Sequence, residues 1–140
     1  MAKMCMLLVL PCALASTPVS EVRICSLVPK WRRTTVPFTP YTTGHQYLAV
    51  LQATLQAINA RSDLLPHTTL RLLHGDSACN QLESIAATTS MIGSGFDGAG
   101  CDLLIGAACS GASIGAATVA GLHQLPQISY ASTSPVLSDS

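Results

Sequence analysis

Charged residues are scarce in this chain of 140 residues: they make up 10% of it, against roughly 25% in an average soluble protein. Seven basic residues balance seven acidic ones, so no overall field favours nucleic acid as a partner. Hydrophobic residues reach 49%, which excludes a disordered chain because so much apolar surface can be buried. The length corresponds to about one domain.

Long apolar runs are absent after the first 15 residues, so no later segment is expected to span a bilayer. Residues 1–15 combine an early Lys3, an apolar run at 4–10 and the small-x-small sequence Ala13-Leu14-Ala15. This layout predicts a secretory signal peptide that is cleaved before Ser16. The alternative is a buried strand or helix at the start of a cytosolic domain.

The C-x-x-C pairs of common zinc sites are also absent. Two of the six cysteines would leave with the signal peptide. The four that remain allow three pairings: Cys25, Cys79, Cys101 and Cys109. In an oxidising compartment disulfides are expected, with ordinary buried thiols as the alternative.

Strands and helices are predicted to alternate along the rest of the chain. Apolar and β-branched runs predict strands at 21–28, 69–73, 102–106 and 126–130. Helical spacing of apolar residues predicts a first helix at 44–60, with Thr43 as its N-cap. Asp76 or Ser77 is predicted to cap a second helix that has Leu82, Ile85 and Ile92 on one face, and a third helix is predicted at 113–124. Residues 30–43 are predicted to be a loop and 93–100 a glycine-rich turn.

This order predicts an α/β fold with a doubly wound parallel sheet, right-handed crossovers and helices on both faces. Ligands of such sheets bind outside the carboxyl ends of the strands. The turns that follow Val28, Leu73, Ile105 and Tyr130 are therefore the places to examine.

Two segments fit the residue spacing of known functional motifs but lack the sequence context that those motifs require. Residues 111–115 fit G-x-S-x-G, the nucleophile elbow, but a hydrolase triad continues with an acid and then a histidine. Here His123 comes first and Asp139 follows it, so an enzyme is not expected. Residues 93–98 fit G-x-G-x-x-G, yet they follow a helix instead of a strand. No histidine has metal-ligand spacing, so neither a metal nor a cofactor is expected.

Small and hydroxyl-bearing residues follow the third and fourth predicted strands. In residues 106–113 they lead into a helix, whose free amides favour an anion such as a carboxylate, and Ser110 adds a hydroxyl. Residues 130–134 carry further hydroxyls. Two such turns side by side would suit the zwitterion of an amino acid. The alternative is that both turns satisfy their own backbones.

Several stretches resemble one family. Residues 125–139 resemble a strand and turn of the receptor-family ligand-binding region, the periplasmic-binding-protein-like type I, bilobed module of class C G-protein-coupled receptors. Residues 106–113 are similar to the family's Gly-x-x-Cys-Ser-Ser stretch. Residues 64–70 resemble metabotropic glutamate receptors, and 74–79 metabotropic GABA receptors. Together these segments extend from about Val22 to Asp139.

The resemblance implies a ligand-binding set of Ser110, Gly111, Ala131 and Thr133. Ser110 would hold the α-carboxylate of the ligand by hydroxyl and amide. Ala131 would offer backbone groups, and Thr133 would contact the ammonium.

The resemblance also implies a disulfide between Cys79 and Cys109 within the first lobe, and it leaves Cys25 and Cys101 as either a second bridge or two buried thiols. Tyr47 stands where glutamate receptors place an arginine for the side-chain carboxylate, so glutamate selectivity is not supported.

The implied function is the extracellular ligand-binding portion of a class C G-protein-coupled receptor that senses an amino acid or similar small molecule. Residues 16–140 would be an incomplete N-terminal lobe of that portion. The implied partners are a small-molecule ligand, a membrane reached through a missing C-terminal region, and a second receptor chain in a homo- or heterodimer. The expected location is the secretory pathway and the extracellular face of the plasma membrane. Alternatives are the same module in a receptor guanylate cyclase or ionotropic receptor, or a secreted solute-binding protein.

Overall fold

A computed structural model describes residues 20–32, 39–94 and 100–138. The predicted signal peptide and most of the predicted glycine-rich turn lie outside these residues. Within the described ranges, no helix is long and apolar enough to cross a bilayer. The elements, in chain order, are β1 Ser20–Val28, β2 Trp31–Arg32, β3 Thr39–Pro40, α1 Thr42–Asn59, β4 Thr68–Asp76, α2 Gln81–Ser94, β5 Leu103–Ile105, α3 Ser110–Leu122 and β6 Gln127–Ile128, followed by a 3₁₀ turn at Pro135–Leu137.

Four of these strands form an all-parallel sheet in the order β4-β1-β5-β6. Strand β1 pairs along its whole length with β4 on one side, and its residues Ile24–Ser26 pair with β5 on the other. Because successive side chains of a strand point to opposite faces, Ser26 and Val28 face α1, whereas Cys25 and Leu27 join the core beneath α2 and α3. The predicted fold class, a parallel sheet flanked by helices, is confirmed.

Helices α2 and α3 pack against each other through small side chains. The Ser84 hydroxyl is buried and donates to the Ala112 carbonyl oxygen at 2.6 Å. A Cβ atom at Gly115 would lie 2.6 Å from the Gln81 carbonyl oxygen, so only glycine allows the two backbones to come this close. The run of small residues in α3 therefore serves the helix contact, where bulkier side chains would force the helices apart.

The first helix starts differently from the prediction. Helix α1 begins at Thr42 with Tyr41 as its N-cap residue, and no side chain caps it, so Thr43 is not the cap. The reason is that β2 and β3 form a small antiparallel ribbon within the predicted loop. Tyr41 directly follows this ribbon and precedes the helix, and its N–H donates to the Lys30 carbonyl oxygen.

The second helix is capped by Asn80, and neither Asp76 nor Ser77 caps it. Asn80 Oδ1 accepts the N–H groups of Leu82 and Glu83. Asp76 is the last residue of β4, and its carboxylate accepts the N–H groups of Lys30 and Ala78 instead. Strand β4 thus extends three residues beyond its predicted end, because it follows β1 to Val28.

The predicted buried face of this helix is also wrong in part. Leu82 is 73% exposed, whereas Ile85 and Ile92 are half-buried. The buried side chains of α2 belong to Ser84, Thr88 and Met91. Helix α2 contacts α3 through Gln81, Ser84 and Ile85, so Leu82 is left on the outer side of α2.

The third helix begins at Ser110, three residues earlier than predicted. Cys109 is its N-cap residue and has an extended backbone. Ser113, the predicted start, therefore lies inside the first turn and is fully buried. Strand β6 is shorter than predicted, with two residues.

Two disulfides connect the four described cysteines. Cys79 is joined to Cys109, the pair that the family resemblance implies, and this bridge ties the turn before α2 to the start of α3. Cys25 is joined to Cys101, which resolves the open alternative in favour of a second bridge. The second bridge links the central strand to the residues that lead into β5.

We expect the Cys25–Cys101 bridge to be the more stabilising of the two. It closes a sequence separation of 76 residues, against 30 for Cys79–Cys109, and a longer loop loses more entropy when it is closed in the unfolded chain. Replacing both Cys25 and Cys101 by alanine should lower the free energy of unfolding by about 3–5 kcal/mol. Urea denaturation followed by circular dichroism measures this loss. The matched variant with alanine at Cys79 and Cys109 should lose less, and a larger loss there would contradict the expectation.

Candidate functional site

The two turns that the sequence singles out meet at the carboxyl edge of β5 and β6. The backbone N–H of Thr133 donates to Ser110 Oγ at 3.2 Å. Ser110 is half-buried at the first position of α3, while Gly111, Ala131 and Thr133 are exposed. The structure therefore brings Ser110 and Thr133 together beside the N-terminus of α3, where the first amides of a helix have no intrahelical partner.

A partly buried cluster of hydroxyl groups holds these two turns together. The hydroxyls of Ser113, Ser129 and Ser132 each lie within hydrogen-bonding distance of the Ala107 carbonyl oxygen, at 2.9, 2.9 and 3.1 Å. Ser113 Oγ also accepts the Ala107 N–H at 3.0 Å and contacts the Ser132 hydroxyl. Hydrogen bonds to Ala107 thus connect three segments: the turn after β5, the first turn of α3 and the turn after β6.

Glutamine 127 adds a further connection beneath the cluster. Gln127 Nε2 donates to the Gly106 carbonyl oxygen at 2.7 Å and reaches the Ser113 carbonyl oxygen at 3.3 Å. Gly106 itself has a φ of +121°, and a Cβ there would lie 2.3 Å from the Leu27 carbonyl oxygen. Glycine is therefore required for the chain to turn from β5 against the end of β1.

An aromatic pair stands beside this surface. The rings of Tyr47 on α1 and Tyr130 after β6 are 5.0 Å apart between centroids and meet edge to face. The Tyr130 hydroxyl donates to the Leu27 carbonyl oxygen at 3.3 Å. Burial, reinforced by the neighbouring Tyr47 and Tyr41, raises the pKa of Tyr130 to about 12, so its phenol is neutral at physiological pH.

A groove of about 510 Å³ opens between α1 and the strands β1 and β5. Tyr47 and Tyr130 stand among its walls, and Tyr130 immediately precedes Ala131. The remaining lining is mainly aliphatic and includes no charged side chain: Ser26, Val28, Val50, Leu51, Thr54 and Ile105. The volume lies within the range of roughly 300–1,000 Å³ that is typical of small-molecule sites.

The histidines serve other contacts. His74 Nδ1 and Lys30 Nζ are 2.8 Å apart, and burial, followed by the charge of Lys30, lowers the pKa of this histidine. His123 is the C-cap residue of α3. Among residues 20–32, 39–94 and 100–138, no three His, Cys, Asp or Glu side chains are grouped so that they could hold a metal ion.

The sequence predicts that the two turns lie side by side, but it misses two of the contacts around them. The sequence presents Ser113 as the serine of a G-x-S-x-G match and as the start of a helix, and it does not predict the place of this residue in the hydroxyl cluster. The pairing of Tyr47 with Tyr130 was not predicted either, because 83 residues separate them and no local pattern joins them. The run of hydroxyls at 129–134 was the available signal for the cluster.

Comparison with known families adds an independent finding. The family model described as "Receptor family ligand binding region" matches residues 46–140, more than half of the chain. The chain therefore belongs to this family, whose module is the periplasmic-binding-protein-like type I fold. It is a ligand-binding module of the kind found in the extracellular part of receptors, and such a module implies a small-molecule ligand. A comparison with curated proteins finds no match.

We expect the Tyr130 phenol to make the fold sensitive to alkali. The ordinary pKa of 10.0 applies to the unfolded chain, and the folded value is about 12. The folded state therefore holds the proton more tightly, and this contribution is complete below pH 10 and is lost as the pH rises through about 12. Thermal unfolding followed by circular dichroism from pH 9 to 12 should show a steeper fall in stability for the wild type than for Tyr130→Phe. Parallel curves would contradict this expectation.

Proposed function

We propose that the chain is the extracellular ligand-binding portion of a class C G-protein-coupled receptor that senses an amino acid or a similar small molecule. Family membership supports the coarser part of this proposal, a receptor ligand-binding module. The finer part rests on the surface at Ser110 and Thr133. The predicted signal peptide and the two disulfides agree with an extracellular location.

The observation that carries the amino-acid proposal is the contact between the Thr133 N–H and Ser110 Oγ. It brings together a helix N-terminus, which attracts a carboxylate, and a turn of hydroxyl and carbonyl oxygens, which can accept hydrogen bonds from an ammonium. In this arrangement Ser110 and the first amides of α3 hold the carboxylate of the ligand. Backbone groups at Ala131 and the side chain of Thr133 face its ammonium.

The hydroxyl cluster and the Cys79–Cys109 bridge keep this surface in one shape before the ligand arrives. Ser113, Ser129 and Ser132 fix the turns from within, and the disulfide fixes Cys109, the residue next to Ser110. A site that is already ordered loses less entropy when a ligand binds.

Signalling would follow from the closure of two lobes around the ligand. A ligand that contacts both lobes binds the closed form more tightly, and therefore shifts a pre-existing open and closed equilibrium toward closure. The membrane portion of the receptor would transmit this shift to a G protein. A homo- or heterodimer of receptor chains and attachment to the plasma membrane are parts of the same proposal.

Sequencing the full transcript would distinguish this proposal from its alternatives. A reading frame that continues into a second lobe and seven apolar segments of about 20 residues each would support a G-protein-coupled receptor. One such segment followed by a cyclase domain would indicate a receptor guanylate cyclase. A second lobe without any apolar segment would indicate a solute-binding protein.

We further propose that the chain is not an enzyme. Ser113, the candidate nucleophile of the G-x-S-x-G match, is fully buried, and its Oγ is engaged with Ala107 and Ser132. A nucleophile has to be exposed to its substrate and activated by a base, and the partners of Ser113 are neutral backbone and hydroxyl groups.

Replacing Ser110 by alanine should weaken amino-acid binding at least tenfold, because a hydrogen bond to a charged group contributes about 1.5–3 kcal/mol. Isothermal titration of the full chain with a panel of free amino acids measures the affinity. The methyl ester of the best ligand should bind as poorly, since it lacks the carboxylate. Thr118→Ala, which removes an exposed hydroxyl bonded within the same helix, is the control and should bind normally. Normal binding by Ser110→Ala would contradict the proposed carboxylate site.

Ester hydrolysis provides the test of the non-enzyme proposal. The wild type and Ser113→Ala should both leave p-nitrophenyl acetate at its uncatalysed rate. A rate above this background in the wild type that disappears in Ser113→Ala, while Ser110→Ala keeps it, would indicate a hydrolase.

A further inference from the structure

The contact between Lys30 and His74 depends on the charge of the histidine. Lys30 Nζ and His74 Nδ1 are 2.8 Å apart, and an ammonium group can only donate hydrogen bonds. His74 Nδ1 is therefore the acceptor, which requires a neutral imidazole that carries its proton on Nε2. A second proton would turn Nδ1 into a donor and place two cations against each other. The contact thus exists in only one charge state of His74.

Few ionisable groups surround this contact. His74 is in register with Ser26, so it lies on the face of the sheet that α1 covers. Asp76 follows on the same face, and its Oδ1 accepts the backbone N–H groups of Lys30 and Ala78. The other ionisable side chains of the segments around this face are those of Arg32, Tyr41, His45, Tyr47 and Tyr130. The charged side chains of β1 and β4 that alternate to the opposite face are those of Glu21, Arg23 and Arg71. Lys30 is the charged group among them that shifts the pKa of His74.

Lys30 also connects the sheet to the start of α1. Its backbone N–H donates to Asp76 at the end of β4, and its carbonyl oxygen accepts the N–H of Tyr41, the N-cap residue of α1. Gly44, in the first turn of α1, packs so closely on Pro29 that a Cβ atom there would collide with the Pro29 carbonyl group. A displacement of Lys30 would therefore be transmitted to the first turn of α1.

We propose that Lys30 and His74 form an acid-sensitive latch between the sheet and the start of α1. At neutral pH the ammonium of Lys30 donates to the imidazole, and the latch is closed. In acid, His74 takes a proton from the solvent, the two cations repel each other, and Lys30 moves away from β4 together with the ribbon of β2 and β3 and the first turn of α1. Histidine switches of this kind respond at about pH 5–6. The latch does not depend on the proposed ligand.

The pKa of His74 gives the direction of the pH dependence. The unfolded chain has the ordinary value of 6.5, and the folded state has a lower one, because burial and then the charge of Lys30 disfavour the imidazolium. The folded state therefore binds the proton less tightly than the unfolded state. This contribution to stability is fully present above pH 6.5 and is lost as the pH falls toward the folded pKa.

Tryptophan fluorescence tests the latch, because Trp31 is the one tryptophan of the chain and directly follows Lys30 in the ribbon. When the full chain is titrated from pH 8 to pH 4, the emission should shift to longer wavelength in a one-proton transition with its midpoint below 6.5. His74→Asn should abolish the transition, since the asparagine Oδ1 accepts the Lys30 proton at every pH. Lys30→Met should abolish it too, since no ammonium is left for His74 to repel.

Two control variants identify the group that titrates. His45→Asn removes an exposed histidine in the first turn of α1, and Asp76→Asn removes the nearby carboxylate but keeps an acceptor, so both should retain the transition. Circular dichroism at pH 8 checks that each variant is folded.

A wild type without the transition overturns the latch. So does a transition that persists in His74→Asn, or one that disappears in His45→Asn or Asp76→Asn while His74→Asn keeps it. Amino-acid binding enters none of these measurements, so a failure of the proposed function leaves their result unchanged.

Discussion

The burial of β1 on both faces is the constraint on which the rest of the structure depends. Its side chains alternate between two cores, with Cys25 and Leu27 beneath α2 and α3, and Ser26 and Val28 beneath α1. Strand β4 follows it along nine residues, and β5 takes its register from it. The Arg23 guanidinium strengthens that register by binding Asp102 just before β5, a contact that also holds the pKa of this carboxyl below its usual range. Displacing β1 would therefore displace every turn at the carboxyl edge.

The site shows how polar groups are organised above an apolar core. The three hydroxyls around Ala107 satisfy backbone groups that the turn after β5 leaves without a strand partner. The free-energy cost of removing these hydroxyls from water is offset because each of them makes a hydrogen bond. Ser110, one turn of chain away, is left at the surface with its oxygen shared with Thr133. The Ser113 hydroxyl of the cluster and the Ser110 hydroxyl, which we propose faces the ligand, thus lie at different depths.

The sequence was sufficient for the order of the three helices and of the strands of the parallel sheet, since these follow from periodicity and from the alternation of strands with helices, but it missed the ribbon of β2 and β3. It also located the turns after β5 and β6, because chain order places both at the same sheet edge. It was insufficient wherever a distant segment decided the outcome. Asp76 looked like a helix cap, but the amide of Lys30, 46 residues away, competes for its carboxylate. Leu82 looked like a core residue, but α2 contacts α3 through Gln81, Ser84 and Ile85, and Leu82 is left exposed. The partnership of Tyr47 with Tyr130 likewise exists only in the folded chain.

The order of the cysteines gives the two bridges a further property. Among the four described cysteines, the first is joined to the third and the second to the fourth, so the covalent rings overlap between Cys79 and Cys101. A single cut at any peptide bond between Cys25 and Cys109 is spanned by at least one bridge, and a cut within the overlap is spanned by both. An extracellular protease that nicks the chain once there would release no fragment, and the two pieces would migrate together in electrophoresis until a reductant is added.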